Sequence, residues 1–144
     1  MWQNRLDSHE IGEKDGRVVY ELDKELVWND GTYQIIVPAG FNTDLSSVPR
    51  LPIVFGLWGD RAHRGGVLHD YLYRVDCEVF GIENCEIFRS ATRQFADDMF
   101  YKANKASGYK WGVYWPMWAG VRLGGWTAYH AMFVKSKFEL DKRY

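Results

Sequence analysis

The chain has 144 residues, a formal net charge of −1 and 47% hydrophobic residues, with aromatic residues alone making up 17% of it. That length is enough for one domain with one core, and a chain this apolar does not remain disordered. The near-zero charge and the absence of a basic tract argue against nucleic acid as a partner.

Residues 1–16 are polar and read as a loose lead-in. The start, Met1-Trp2-Gln3-Asn4-Arg5, has neither the basic nor the apolar region of a signal peptide, so a location in the cytoplasm or in an assembled particle is expected. Residues 17–22 alternate with period two and read as a strand. Residues 25–28 read as a second strand, Asn29-Asp30-Gly31 as a hairpin turn, and the β-branched and aromatic run 32–37 as a third strand ended by Pro38.

Residues 38–52 carry three prolines and a glycine, which forbid a long regular element. Asp44 lies there among hydroxyl side chains, and an ordered loop could bring it with Ser46 or Ser47 to a site; equally, Asp44 could bond the backbone locally. No GxSxG elbow accompanies the serines. The apolar run 51–58 reads as a buried connector.

A helix is expected from about Asp60 to Arg74. It contains the most chemically suggestive stretch of the chain, Gly65-Gly66-Val67-Leu68-His69-Asp70-Tyr71-Leu72-Tyr73. On a helix His69 and Tyr73 share a face and Asp70 lies about 100° round from His69. The two glycines leave room for a close neighbour. Histidine titrates nearest neutrality, and an adjacent carboxylate can orient a partner or hold a cation. The competing reading is a hydrogen-bonded lock between helices. His63 falls on a different face and reads as exposed.

Residues 77–84 read as a loop, followed by a long helix over 86–106 that ends at Ser107-Gly108. Its apolar face takes in Ile87, Phe88, Ala91, Phe95, Ala96, Met99, Phe100 and Ala103. On that wheel Asp98 falls inside the apolar arc and Asp97 nearly opposite its centre. An acid facing the core needs a partner there, and His69 or Tyr73 is the candidate. Cys77 and Cys85 fit either one bridge or two free thiols, and they lack zinc-site spacing.

Residues 111–129 approach membrane-crossing length. However, Arg122, Pro116 and four scattered glycines argue against a transmembrane helix. A helix from about Pro116 to Val134 that packs its tryptophans on the core is the primary reading, with Pro116 in its first turn. An exposed tryptophan patch for a partner or a membrane surface is the other. The charged end, 135–144, reads as solvated. There is no internal repeat, GxGxxG, Walker loop or HExxH.

Four motifs occur in one order: Pro38-Ala39-Gly40-Phe41 with Thr43-Asp44 and Ser47-Val48-Pro49; Leu68-His69-Asp70-Tyr71-Leu72-Tyr73; Ala96-Asp97 with Phe100; and Val121-Arg122 with Gly124. Together, over roughly residues 17–126, they resemble the DUF1353 family of small proteins found mainly in tailed bacteriophages and prophages. The resemblance implies a phage origin, supplies no activity, and favours Asp97 over Asp98 as the site acid. The His-Asp-x-x-Tyr pattern also resembles that of secreted phospholipase A2. This second resemblance implies His69 as the base that activates water, Asp70 as a Ca²⁺ ligand, Asp97 as the acid orienting His69, and Tyr73 as its support. The flanking cysteines and dense disulfides of that family are missing here, and Phe55-Gly56-Leu57-Trp58-Gly59 is only a faint counterpart of its calcium loop.

The expected fold is α+β in a single domain. Residues 17–52 would form a small antiparallel sheet of about three strands and an ordered loop, and residues 60–134 a helical part in which two antiparallel helices face His69 to the acid pair. The functional expectation is a hydrolase-like site of His69, Asp97 and Tyr73, with Asp98 as alternative acid and Asp70 and Asp44 as ligands of a metal, calcium first. Its substrate would be an ester or amide of the bacterial envelope. The alternative is a non-enzymatic virion, tail or assembly protein, whose aromatic surface contacts other phage structural proteins or a second copy.

Overall fold

The computed structural model describes residues 1–14, 16–44 and 63–132. The expected helix start at Asp60, Ser46, Ser47, the stretch Phe55 to Gly59 and the charged end 135–144 all lie outside the described residues, as does the His63 side chain.

The fold is α+β. Strands β1 (Ser8–Lys14), β2 (Arg17–Leu22), β3 (Leu26–Asn29), β4 (Tyr33–Val37) and β5 (Asn42–Thr43) precede helix α1 (His63–Leu72). Strands β6 (Glu78–Gly81) and β7 (Glu86–Arg89) follow, then helices α2 (Arg93–Ala106) and α3 (Trp111–Met132). Two antiparallel sheets result, ordered β1-β2-β5 and β3-β4-β6-β7.

The three expected strands are β2, β3 and β4. The turn between β3 and β4 forms through side chains: Asn29 Oδ1 accepts from the Gly31 amide at 2.8 Å, and Asp30 Oδ1 accepts from the Thr32 and Tyr33 amides at 3.0 and 2.8 Å. Gly31 takes a left-handed φ of 92°, which favours glycine.

The lead-in is not loose. Its second half is β1, which pairs with β2 across a bulge between Glu10 and Gly12. Its first half is fastened by Trp2, which bridges to Trp28 and packs edge-on against it at 5.0 Å. Ladder bonds and one anchoring tryptophan order this segment, where side-chain polarity hides the strand.

The single long helix over 86–106 is also corrected. Residues 86–89 form β7, hairpin partner of β6, which adds to the edge of β4. The residues 77–84 read as a loop therefore contain a strand. Helix α2 begins after Thr92, whose side chain accepts from the Phe95 amide as an N-cap. Ile87 and Phe88, counted to a helix face, are solvent-exposed strand residues.

Helix α3 starts at Trp111, so Pro116 sits in its second turn rather than its first. There the missing proline amide faces the carbonyl of Gly112, an exposed glycine with open space beside it. Cys77 is buried and Cys85 exposed, and neither is bridged. Burial pushes the Cys77 thiol above its ordinary range.

One core joins both sheets to α1 and α2, with Trp28, Ile35, Phe41, Leu68, Tyr71 and Met99 among its members. A smaller cluster of Phe100, Met117 and Val121 seats α3 on α2. The glycines of α1 do make room for a neighbour: a Cβ at Gly65 would lie 2.7 Å from the Asn104 side chain of α2. No described helix is long and apolar enough to cross a membrane.

Candidate functional site

Three helical segments converge on one carboxylate. Helix α1 presents His69, and one turn later Tyr73 continues its hydrogen-bonding, its amide bonded to the His69 carbonyl at 3.1 Å. The two rings lie 4.1 Å apart at 46°. Helix α2 presents Asp97. His69 Nε2 and Asp97 Oδ1 are 2.7 Å apart, and the Tyr73 hydroxyl donates to the same oxygen at 2.9 Å. Arg122 of α3 donates through Nη1 to Asp97 Oδ2 at 3.0 Å. Arg93, one turn before Asp97, brings its Nε to 3.7 Å from Oδ2 and donates through Nη2 to the Arg122 carbonyl.

His69 is 1% exposed and Asp97 not at all. Burial alone would raise the Asp97 pKa. Hydrogen bonds from His69, Tyr73 and Arg122 outweigh burial and hold it below its ordinary value. Burial first, and then the Asp97 charge, push the Tyr73 phenol well above its usual range. An ionised carboxylate only accepts hydrogen bonds, so His69 Nε2 carries the proton. Nδ1 of the same ring is buried and has no hydrogen-bond partner among the described residues. Phe100 covers the ring from 5.2 Å.

Asp70, the sequence neighbour of His69, belongs to a different contact. It is wholly buried, and its Oδ2 accepts from the Thr43 hydroxyl of β5. This bond ties α1 to the end of the sheet. Asp44 follows Thr43 and is half-buried. Among the described residues no group of three or more His, Cys, Asp or Glu could hold a metal ion. Calcium takes six to eight oxygen ligands, so Asp70 and Asp44 with the other described residues do not by themselves build a calcium site.

Asp98 is exposed and stands about 100° round α2 from Asp97, on the wall of an open groove. The helical wheel had the pair reversed because it drew on Ile87, Phe88 and Ala91, which precede the helix. On α2 alone the buried residues Met99, Ala103, Ala96, Phe100, Asn104 and Asp97 form one continuous arc.

The model of the family described as Protein of unknown function (DUF1353) matches residues 20–121. The chain belongs to the DUF1353 family. The match runs from β2 into α3 and contains His69, Asp70, Tyr73 and Asp97, stopping one residue short of Arg122. No curated protein and no solved structure matches this DUF1353 chain significantly.

Sequence reasoning did not assign site roles to Arg93, Arg122 and Thr43. Two of the three left a signal. Arg93 is four residues before Asp97, the spacing of a helical ion pair. Arg122 is the only charged residue between Lys110 and Lys135, in a stretch that buries apolar side chains, and a lone charge there needs a partner. Thr43 left only its place in the Thr43-Asp44 motif, since its bond to Asp70 depends on where β5 ends.

Proposed function

We propose that this chain is a phage-type hydrolase in which His69 activates water against an ester or amide carbonyl of the bacterial envelope. The carrying observation is the division of the His69 ring. Asp97 holds Nε2 at 2.7 Å, while Nδ1 is buried with no partner among the described residues. One nitrogen is fixed and the other is left without a described partner, the division that an oriented general base requires. The phage setting rests on the DUF1353 motif resemblance, and the carbonyl substrate on the His-Asp-x-x-Tyr resemblance to phospholipase A2.

In the proposed reaction Nδ1 takes a proton from water as the water oxygen bonds to the carbonyl carbon. Collapse of the tetrahedral adduct breaks the bond to the alcohol or amine, and that leaving group receives the proton from His69. Asp97 stays ionised throughout and stabilises the imidazolium. Tyr73, Arg122 and Arg93 act through Asp97 as positioning residues. The calcium ion that the phospholipase resemblance implies at Asp70 finds no ligand group among the described residues. No step above runs through it.

The test is a panel of chromogenic esters, anilides and phospholipids, with calcium or zinc supplied, comparing wild type with His69→Gln and Asp97→Asn. Turnover in wild type that falls about 10²-fold or more in His69→Gln is expected. Equal turnover in both, or none in wild type on any substrate, contradicts the proposal. A second reading has its own observation, the near-complete burial of His69 and Asp97. In that reading the pair is a lock between helices, and the protein is a virion, tail or assembly component whose exposed aromatics contact other subunits.

A further inference from the structure

Helix α3 is seated on α2 by Tyr114, Met117 and Val121, and its other side is largely exposed. Along that side Trp111, Trp115, Ala119 and Leu123 recur every four residues, a stripe about 18 Å long at the helical rise of about 1.5 Å per residue. Trp111 is 64% exposed, Trp115 44% and Leu123 88%, while Ala119 is half-buried. The two tryptophans stack on each other at 5.7 Å, so they meet solvent as one broad apolar surface. Trp115 also walls, with Phe95, Tyr101, Lys105 and Trp118, a groove of about 690 Å³ that includes Asp98. A recess of that volume takes a group the size of a lipid head.

The charge pattern says what this surface suits. The net charge of −1 conceals two unlike parts. Residues 1–98 hold seventeen Asp and Glu against ten Lys and Arg, whereas residues 99–144 hold two against eight. From Met99 through Phe138 there is no acidic residue. Lys102 is engaged by Asp30 at 2.8 Å, but Lys105 and Lys110, beside the foot of α3, have no ion pair among the described residues. Exposed tryptophan and leucine beside unpaired lysines is the composition of a helix that lies in a membrane interface: the rings enter the headgroup region, and the ammonium groups meet anionic heads. A second copy of the chain fits less well, because a two-fold contact on this stripe would bring like-charged lysine rims together.

We propose that the outward stripe of α3, with Lys105 and Lys110, is a docking surface for an anionic bilayer, on which the helix lies in the plane without crossing. This goes beyond the reading of His69 and does not depend on it. If both hold, the bilayer contact lies on the helix that delivers Arg122 to Asp97.

The experiment measures binding of the full chain to vesicles of phosphatidylglycerol and phosphatidylcholine, and to phosphatidylcholine alone, by co-sedimentation and tryptophan emission. Wild type is expected to bind the anionic vesicles with a blue shift, more weakly as salt rises. Trp111→Ala/Trp115→Ala should lose at least about tenfold in partitioning. Lys105→Gln/Lys110→Gln should lose roughly 25-fold, at about fivefold for each lysine. His69→Gln should bind as wild type does, so that a chain that binds but hydrolyses nothing overturns the catalytic reading alone. The docking proposal is overturned if wild type ignores anionic vesicles. It is also overturned if the tryptophan variant binds as well as wild type while folded, or if light scattering finds a dimer that this variant breaks.

Discussion

Helix α2 carries two acids in succession, and its two faces treat them in opposite ways. Asp97 enters a closed centre, where an imidazole, a phenol and two guanidinium groups meet it from α1, α2 and α3. Asp98 stands on the wall of an open aromatic groove. The contrast shows what burying a carboxylate requires. The inner face is the more crowded, yet it holds the charge because His69, Tyr73 and Arg122 bring hydrogen bonds to it and Arg93 adds an ion pair. On the outer side Trp115 keeps 44% of its surface exposed on the wall of an open groove. Charge follows available partners.

The sharpest way to break this comparison is to remove each acid in turn. Asp97→Ala should lower stability by about 3–5 kcal/mol, since it leaves buried cationic and polar groups around a gap. Asp98→Ala should leave the denaturant midpoint unmoved. Similar losses in both, or none in Asp97→Ala, would abolish the distinction between the faces. A pH series sharpens it. Because the folded Asp97 pKa is depressed, its contribution is present above the unfolded value of about 3.9 and is lost as pH falls through the folded value. Wild type should therefore lose stability on acidification in that window, and Asp97→Asn should lose less, as read by melting at each pH.

Two smaller effects concern how α1 is held. Thr43→Val keeps the shape of the side chain but removes the donor to buried Asp70, and should cost about 1–3 kcal/mol in a denaturant melt. Gly65→Ala places a methyl 2.7 Å from the Asn104 side chain, which is buried and bonded to the Phe100 carbonyl at 2.9 Å. Alanine's helix propensity works the other way. Overpacking should prevail by about 1 kcal/mol, and a gain in melting temperature would show that Asn104 can move aside.

The sequence made some of this legible and concealed the rest for physical reasons. Strand β4 buries Ile35 and Val37 on one face and exposes Ile36 on the other, a period-two pattern that the sequence shows. Strand β7 is exposed on both faces, and its Ile87 and Phe88 imitate the start of a helical stripe. That error propagated: it rotated the apolar arc and put Asp98 where Asp97 belongs. The i, i+4 placement of His69 and Tyr73 needed only helical geometry. Asp97 as their partner came from motif order, and Arg122 depends on how α3 seats on α2, which no local pattern encodes.

The availability of His69 Nδ1 is read most directly by long-range proton–nitrogen NMR of isotope-labelled imidazoles at about pH 8, above the usual histidine range. The expected His69 signal is a ring protonated at Nε2, with Nδ1 unprotonated, and Asp97→Asn should perturb it. A ring that keeps its proton on Nδ1 under those conditions would contradict its assignment as the base, and would leave His69 and Asp97 as a lock between helices.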